Sequence, residues 1–115
     1  MALDSNCIFC KIIEGEIPAE IVYRDDNVVA FNDLNPQAPT HVLLIPTLHV
    51  ENAAAMAEAS AVVSAALLKA AKQIAADRGL AGHRTVFNTG EAAGQSVFHA
   101  HMHLLGGRDF KWPPG

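Results

Sequence analysis

The segment "HAHMHLL", residues 99 to 105, sets three histidines at strict alternation and constrains the fold more than any other part of the chain. Successive side chains of a β-strand point to opposite faces, so His99, His101 and His103 share one face while Ala100, Met102 and Leu104 share the other. One face is chemical and the other is core. In a helix the same residues would fan round the axis, leaving the apolar partners without a common side to bury.

The rest of the chain supplies a sheet for that strand. "EIVYR" and "VVAFND" are β-rich runs separated by Asp25, Asp26 and Asn27, which is a hairpin pattern. "HVLLIP" reads as a buried strand closed by Pro46, and "RTVFNTG" as another ending in a glycine turn. With the histidine segment there are five strands. "SNCIFCKII" offers capping residues followed by Ile8, Phe9 and Ile12 at helical spacing, which predicts a short N-terminal helix. Between Glu58 and Arg78, the residues Val62, Val63, Ala66, Leu67, Ala70, Ala71 and Ile74 form one stripe, predicting a long helix stopped at Gly79. Its small side chains let it approach the Met102 and Leu104 face closely. The expected class is α+β: a five-stranded antiparallel sheet with one long helix and a short N-terminal one. With 115 residues, the range 1–115 reads as one domain.

Composition narrows the function. Half the residues are hydrophobic and 17% are charged, which describes a compact soluble protein. A net charge of −4 lacks the basic footprint of a nucleic-acid binder, although a mononucleotide remains possible. No apolar run approaches the roughly 20 residues of a membrane span, and "MALDSN" lacks the basic start and apolar core of a signal peptide. The expectation is a cytoplasmic protein with no nucleic-acid or membrane partner, in which a structural disulfide is disfavoured.

Two chemistries compete for the histidine face. Histidines two apart on a strand can chelate a metal. Alternatively, imidazole can act as a nucleophile toward phosphorus and form a covalent intermediate that divides one difficult substitution into two. The loop just upstream, "NTGEAAGQSVFH", favours the second. Its glycines let backbone N–H groups turn inward to line an anion site, with Asn88, Gln95 and Ser96 beside them. The neighbouring imidazoles, the hydroxyl and the amides would stabilise phosphoryl oxygens and protonate a leaving group. There is no P-loop, and the acidic residues are scattered, so no magnesium phosphate site is expected.

The blocks "GQSVFHAHMHLLGGR", "FNDLNPQAPTHVLLIP" and "WPPG" together resemble the histidine-triad family, and within it the nucleotide-binding HINT branch. The likeness extends over nearly the whole chain. It implies the HIT-like fold and hydrolysis of purine nucleoside 5′-phosphoramidates and acyl- or lysyl-adenylates through a nucleotidyl-histidine, without a catalytic metal. His101 would be the nucleophile, His103 would contact the phosphate and His41 would support the imidazoles. Ser96 would bond near the leaving-group atom, while Gln95, Gly94 and Asn88 would hold phosphate and ribose. Asp33 reads by itself as a turn residue before Pro36; the resemblance makes it the acceptor for the ribose hydroxyls. Ile8, Phe9, Ile12, Ile17, Phe31 and Leu34 would form the purine slot. Asn32 departs from relatives with histidine there. A nucleotide-binding scaffold with little turnover is the rival function.

"CIFC" reads as a redox pair, two buried thiols or half of a tetrahedral zinc site, and no thioredoxin-like pattern surrounds it. If the strand from His41 runs antiparallel to the one from His99, His49 approaches His99 and His41 approaches His103. Some relatives in the resembled family carry structural zinc on such a set, which here would be Cys7, Cys10, His49 and His99. His99 would then hold the start of the catalytic strand. A small zinc-dependent interaction module is a third reading, but it leaves the "GQS" loop without a purpose. His83 reads as a solvated turn residue. The tail, residues 106 to 115, must leave the sheet because Pro113 and Pro114 cannot continue a ladder, and Trp112 needs a surface. The resemblance implies a homodimer in which this tail packs at the interface, near the partner's site.

Overall fold

The computed structural model describes residues 3–115. Its strands are β1 (Ile21–Arg24), β2 (Val28–Asn32), β3 (Thr40–Pro46), β4 (His83–Phe87) and β5 (Met102–Gly106). They form one antiparallel sheet in the order β1-β2-β3-β5-β4. Helix α1 (Ile8–Ile13) precedes the sheet, and α2 (Ala53–Ala59) and α3 (Ala61–Asp77) stand between β3 and β4. The α+β class and the five antiparallel strands agree with the sequence pattern. Among the described residues, no helix is long and apolar enough to cross a membrane.

Both faces of the central strands are covered, which is why β3 is buried at every position. On one face Val42, Leu44, Met102 and Leu104 pack against Val63, Leu67, Ala70, Ala71 and Ile74 of α3. On the other, Leu43 and Ile45 pack against Phe9, Ile12 and Ile13 of α1. Full burial of a side chain such as Leu67 contributes about 1.5–3 kcal/mol. Ala70 and Ala71 keep the side chains on that face of α3 small.

The alanine-rich segment departs from the predicted single helix. Ser60 has extended backbone and ends α2 while its side chain accepts from the Val63 N–H at 3.1 Å, starting α3. Val62 lies beside the buried stripe rather than on it and is 71% exposed. Gly79 does end the helix: its φ of +63° is a left-handed closure, and the Leu80 N–H reaches back to the Ala75 carbonyl at 3.0 Å. His83 is exposed as expected, but it is the first residue of β4 rather than a turn residue.

Ladder pairing in β5 begins only at Met102, so His99 and His101 precede the paired strand. Their alternation nevertheless persists. Ala100 joins Met102 and Leu104 in the α3-side core, while the rings of His101 and His103 lie 5.2 Å apart.

Candidate active site

The sheet register places the imidazoles. Leu43 pairs with His103 and His41 pairs with Leu105, so His41 and His103 are diagonal neighbours on the α1 side of the sheet. His41 Nε2 and His103 Nδ1 are 2.8 Å apart. The Gln37 N–H donates to His41 Nδ1 at 3.0 Å, which assigns the neutral His41 proton to Nε2. That proton is donated to His103, whose own proton then sits on Nε2. Asp33 Oδ2 lies 3.5 Å from His41 Nε2, and Asp33 Oδ1 accepts from the Asn35 N–H, completing a turn. Burial pushes His103 down to about 4, reinforced by the neighbouring His101 and His41. Burial also lowers His41, and the Asp33 carboxylate opposes that shift. The pair is therefore neutral near pH 7.

His101 is held differently. Its Nδ1 lies 2.8 Å from the His99 carbonyl, so Nδ1 donates and Nε2 keeps its lone pair. Its ring meets the Phe9 ring edge to face at 5.1 Å. Phe9 in turn packs on Phe31 and forms part of a pocket of about 220 Å³ lined by Ile8, Ile12, Ile17, Phe31, Asp33 and Leu34. The six residues predicted for the purine slot and Asp33 thus meet in one hollow, whose Phe9 packs on the His101 ring. The exposure of Leu34 and Ile8 follows from their position on its rim.

The glycine loop is built less openly than expected. The N–H groups of Ala93, Gly94 and Gln95 donate to the loop's own carbonyls of Gly90 and Glu91. Gln95 is buried, and its side-chain amide donates to the Glu51 and Val97 carbonyls while its oxygen accepts from the Gly90 N–H. It braces the loop against the start of α2. Gly94, with φ +93°, sits beside the Asn88 amide, and Ser96 is exposed.

The remaining histidines join the cysteines. Cys7, Cys10, His49 and His99 bring one ligand atom each to within 4.8 Å of one another. His99 Nε2 donates to the Pro46 carbonyl at 3.0 Å, which turns its Nδ1 lone pair toward the thiols. Nδ1 of His99 is 3.3 Å from Nδ1 of His49, 3.4 Å from the Cys10 sulfur and 3.5 Å from the Cys7 sulfur. Tetrahedral zinc bonds, about 2.3 Å to sulfur and about 2.0–2.1 Å to nitrogen, set N–N edges of about 3.3 Å and N–S edges of about 3.5 Å. The donor set fits that ion. Burial pushes the Cys10 thiol up to about 11 and His99 down to about 4.

A family model described as HIT domain matches residues 14–110. The chain belongs to the HIT family. It is 49% identical to the "14 kDa zinc-binding protein" of Zea mays, covering 97% of this chain and 90% of that one. Identity to the "Adenylylsulfatase HINT1" of Arabidopsis thaliana is 46%, covering 97% and 78%. The crystal structure of a HIT family hydrolase from Legionella pneumophila superposes with a TM-score of 0.91 at 48% identity, covering 96% of this chain and 100% of that one.

Several parts of this HIT site escape sequence reasoning. The Gln37 N–H and the Pro46 and His99 carbonyls fix three imidazole tautomers, and a backbone group leaves no mark in the sequence. Leu43, Pro18 and Ala19 line the pocket. Leu43 was reachable, because the strand alternation that puts His41 on the chemical face puts Leu43 there too. Asn32 donates to Glu20 at 2.8 Å and accepts from Arg78 at 3.3 Å.

Proposed function

We propose that this HIT domain hydrolyses purine nucleoside 5′-phosphoramidates, AMP or GMP in type, and the related acyl- and lysyl-adenylates. The observation that carries the reading is the His101 tautomer: Nδ1–H is spent on the His99 carbonyl, leaving Nε2 as a nucleophile beside an apolar pocket with a carboxylate at its edge. One relative is named a hydrolase and another an adenylylsulfatase, and both names are in keeping with a hydrolytic reading.

In this reading the base enters the pocket and Asp33 accepts from the ribose hydroxyls. His101 Nε2 bonds to phosphorus as the P–N bond breaks. The amine leaves with the electron pair of that bond and a proton passed through the Ser96 hydroxyl, which is replenished from solvent. Water then cleaves the nitrogen–phosphorus bond, restoring the imidazole and releasing the nucleotide. His103, with its proton on Nε2, donates to a phosphoryl oxygen, and the His41 bond holds it in that tautomer. Gly94 and Asn88 lie along the phosphate and ribose, and Gln95 serves by keeping the loop shaped. Zinc on Cys7, Cys10, His49 and His99 supplies a structural cross-link, in keeping with the zinc-binding maize relative.

The test is to incubate the protein with adenosine 5′-phosphoramidate, follow AMP release, and quench in denaturant for mass spectrometry. AMP release with an adenylyl adduct on the peptide containing His101 is expected. A protein that binds AMP but releases none from the phosphoramidate is a nucleotide-binding scaffold instead.

A further inference from the structure

A second hollow of about 400 Å³ opens next to the pocket just described. Ile8 lines both. Ser96, expected beside the leaving-group atom, lines the second hollow together with Val97 and Phe98. A leaving group bonded beside Ser96 has this hollow to enter. Its lining has a defined chemical character. Asp4 and Asn6 are its acidic and amide groups, Phe98 is a 39% exposed aromatic ring, Cys7 and His49 of the cysteine–histidine cluster also line it, and no lysine or arginine takes part.

Asp4 is fixed rather than loose. Its backbone N–H donates to the Cys10 sulfur at 3.3 Å, its carbonyl accepts from the Cys7 N–H at 3.1 Å, and its Oδ1 accepts from the Asn6 N–H at 2.8 Å. The carboxylate so held belongs to the lining of the hollow. We infer that the hollow bounded by Asp4, Asn6, Ser96 and Phe98 is the leaving-group subsite, and that it selects amines carrying a second, positively charged group on an apolar stem. The stem lies on Ile8 and Phe98, and the cation meets Asp4. An anionic leaving group would face the same carboxylate with no lysine or arginine in the lining to receive it. This rests on the phosphoramidase reading and deepens it.

The experiment uses three adenosine 5′-phosphoramidates of equal stem length, made from butylamine, 1,4-diaminobutane and 4-aminobutyrate. The full-length protein is expected to favour the diamine and disfavour the carboxylate in kcat/KM, with the spread shrinking as salt is raised. Asp4→Asn keeps the Oδ1 acceptor for the Asn6 N–H and removes only the charge. It is expected to lower the diamine-to-butylamine ratio in kcat/KM about threefold, the scale of an exposed charge pair. The wild-type ranking needs no variant, so it stands even if Asp4→Asn folds poorly. Three substrates turned over equally at low salt, or a ratio untouched by Asp4→Asn, would overturn the subsite while leaving the hydrolase intact. Turnover of none of the three would overturn the hydrolase reading itself.

Discussion

At the scale of single residues, His101 and His103 separate by what each contributes. A nucleophile acts in the transition state, so its removal affects rate far more than ground-state affinity. His101→Ala should therefore abolish AMP release while AMP binding, measured by calorimetry, stays within about 1.4 kcal/mol, or tenfold. Rapid turnover by that variant would remove His101 from its role. His103 writes itself into the pH dependence of stability instead. Its folded value, about 4, lies below the ordinary 6.5, so the unfolded chain takes up that proton first as pH falls. The stabilisation it gives is whole above about 6.5, is lost progressively between there and about 4, and then levels off. His41 is lowered by burial as well and acts in the same direction. His103→Gln should accordingly show a shallower fall of melting temperature across that window than the wild type. Parallel curves would mean that the folded environment of His103 does not oppose its charging.

At the scale of elements, α1 is too short to hold itself in place. Six residues make little more than one turn, and helices of that length owe their stability to packing and side-chain ties. Cys7 caps it and Cys10 lies inside it; Ile8 and Phe9, between them, form the wall of the base pocket. A metal on the two cysteines, His49 and His99 would tie this wall to the chain that carries His101. Cys10→Ser, or removal of metal with a chelator, should lower the melting temperature and weaken AMP binding together, with about one zinc per chain measured in the untreated protein. Metal-free protein with reduced thiols, purified from zinc-replete cells, would count against the tie. The elements themselves were mostly legible. β-rich runs bounded by turn residues marked four strands, the histidine alternation marked the fifth, and Gly79 marked the end of α3. The break at Ser60 was not, because alanine favours helix on both sides and a serine capping signal is faint beside it. The late start of the β5 ladder was hidden too. Alternation reports which way a side chain points, not whether its backbone is paired, and His99 instead bonds Pro46 and the thiols while the Ala100 N–H bonds the Val50 carbonyl.

At the scale of the whole molecule, the tail bears on assembly. Phe110 does fold back: the guanidinium carbons of Arg108 and Arg84 lie 4.3 and 5.1 Å from its ring centre, and Arg84 also bonds the Lys111 carbonyl. Trp112 does not. It is 82% exposed, so within one chain the largest side chain has no surface to cover it. β4, which carries Arg84, lies at the edge of the sheet, and among the described residues no strand pairs with its outer side. An unpaired edge and an uncovered tryptophan close together suit a two-fold partner, which would use both surfaces twice in an isologous contact. A homodimer in sedimentation is the expected result. Each tail would then lie over the other chain, and deleting residues 109 to 115 should change the ranking of amine leaving groups more than it changes AMP affinity, because the base pocket is lined by residues 8 to 43 and by none of the tail. The deletion also removes Phe110, so a melting curve must accompany the kinetics to separate lost packing from altered selectivity. If the protein sediments as a monomer, or the shortened chain ranks amines as the full one does with its fold intact, the tail has no part in choosing the leaving group and the hollow beside Asp4 is left to make that choice.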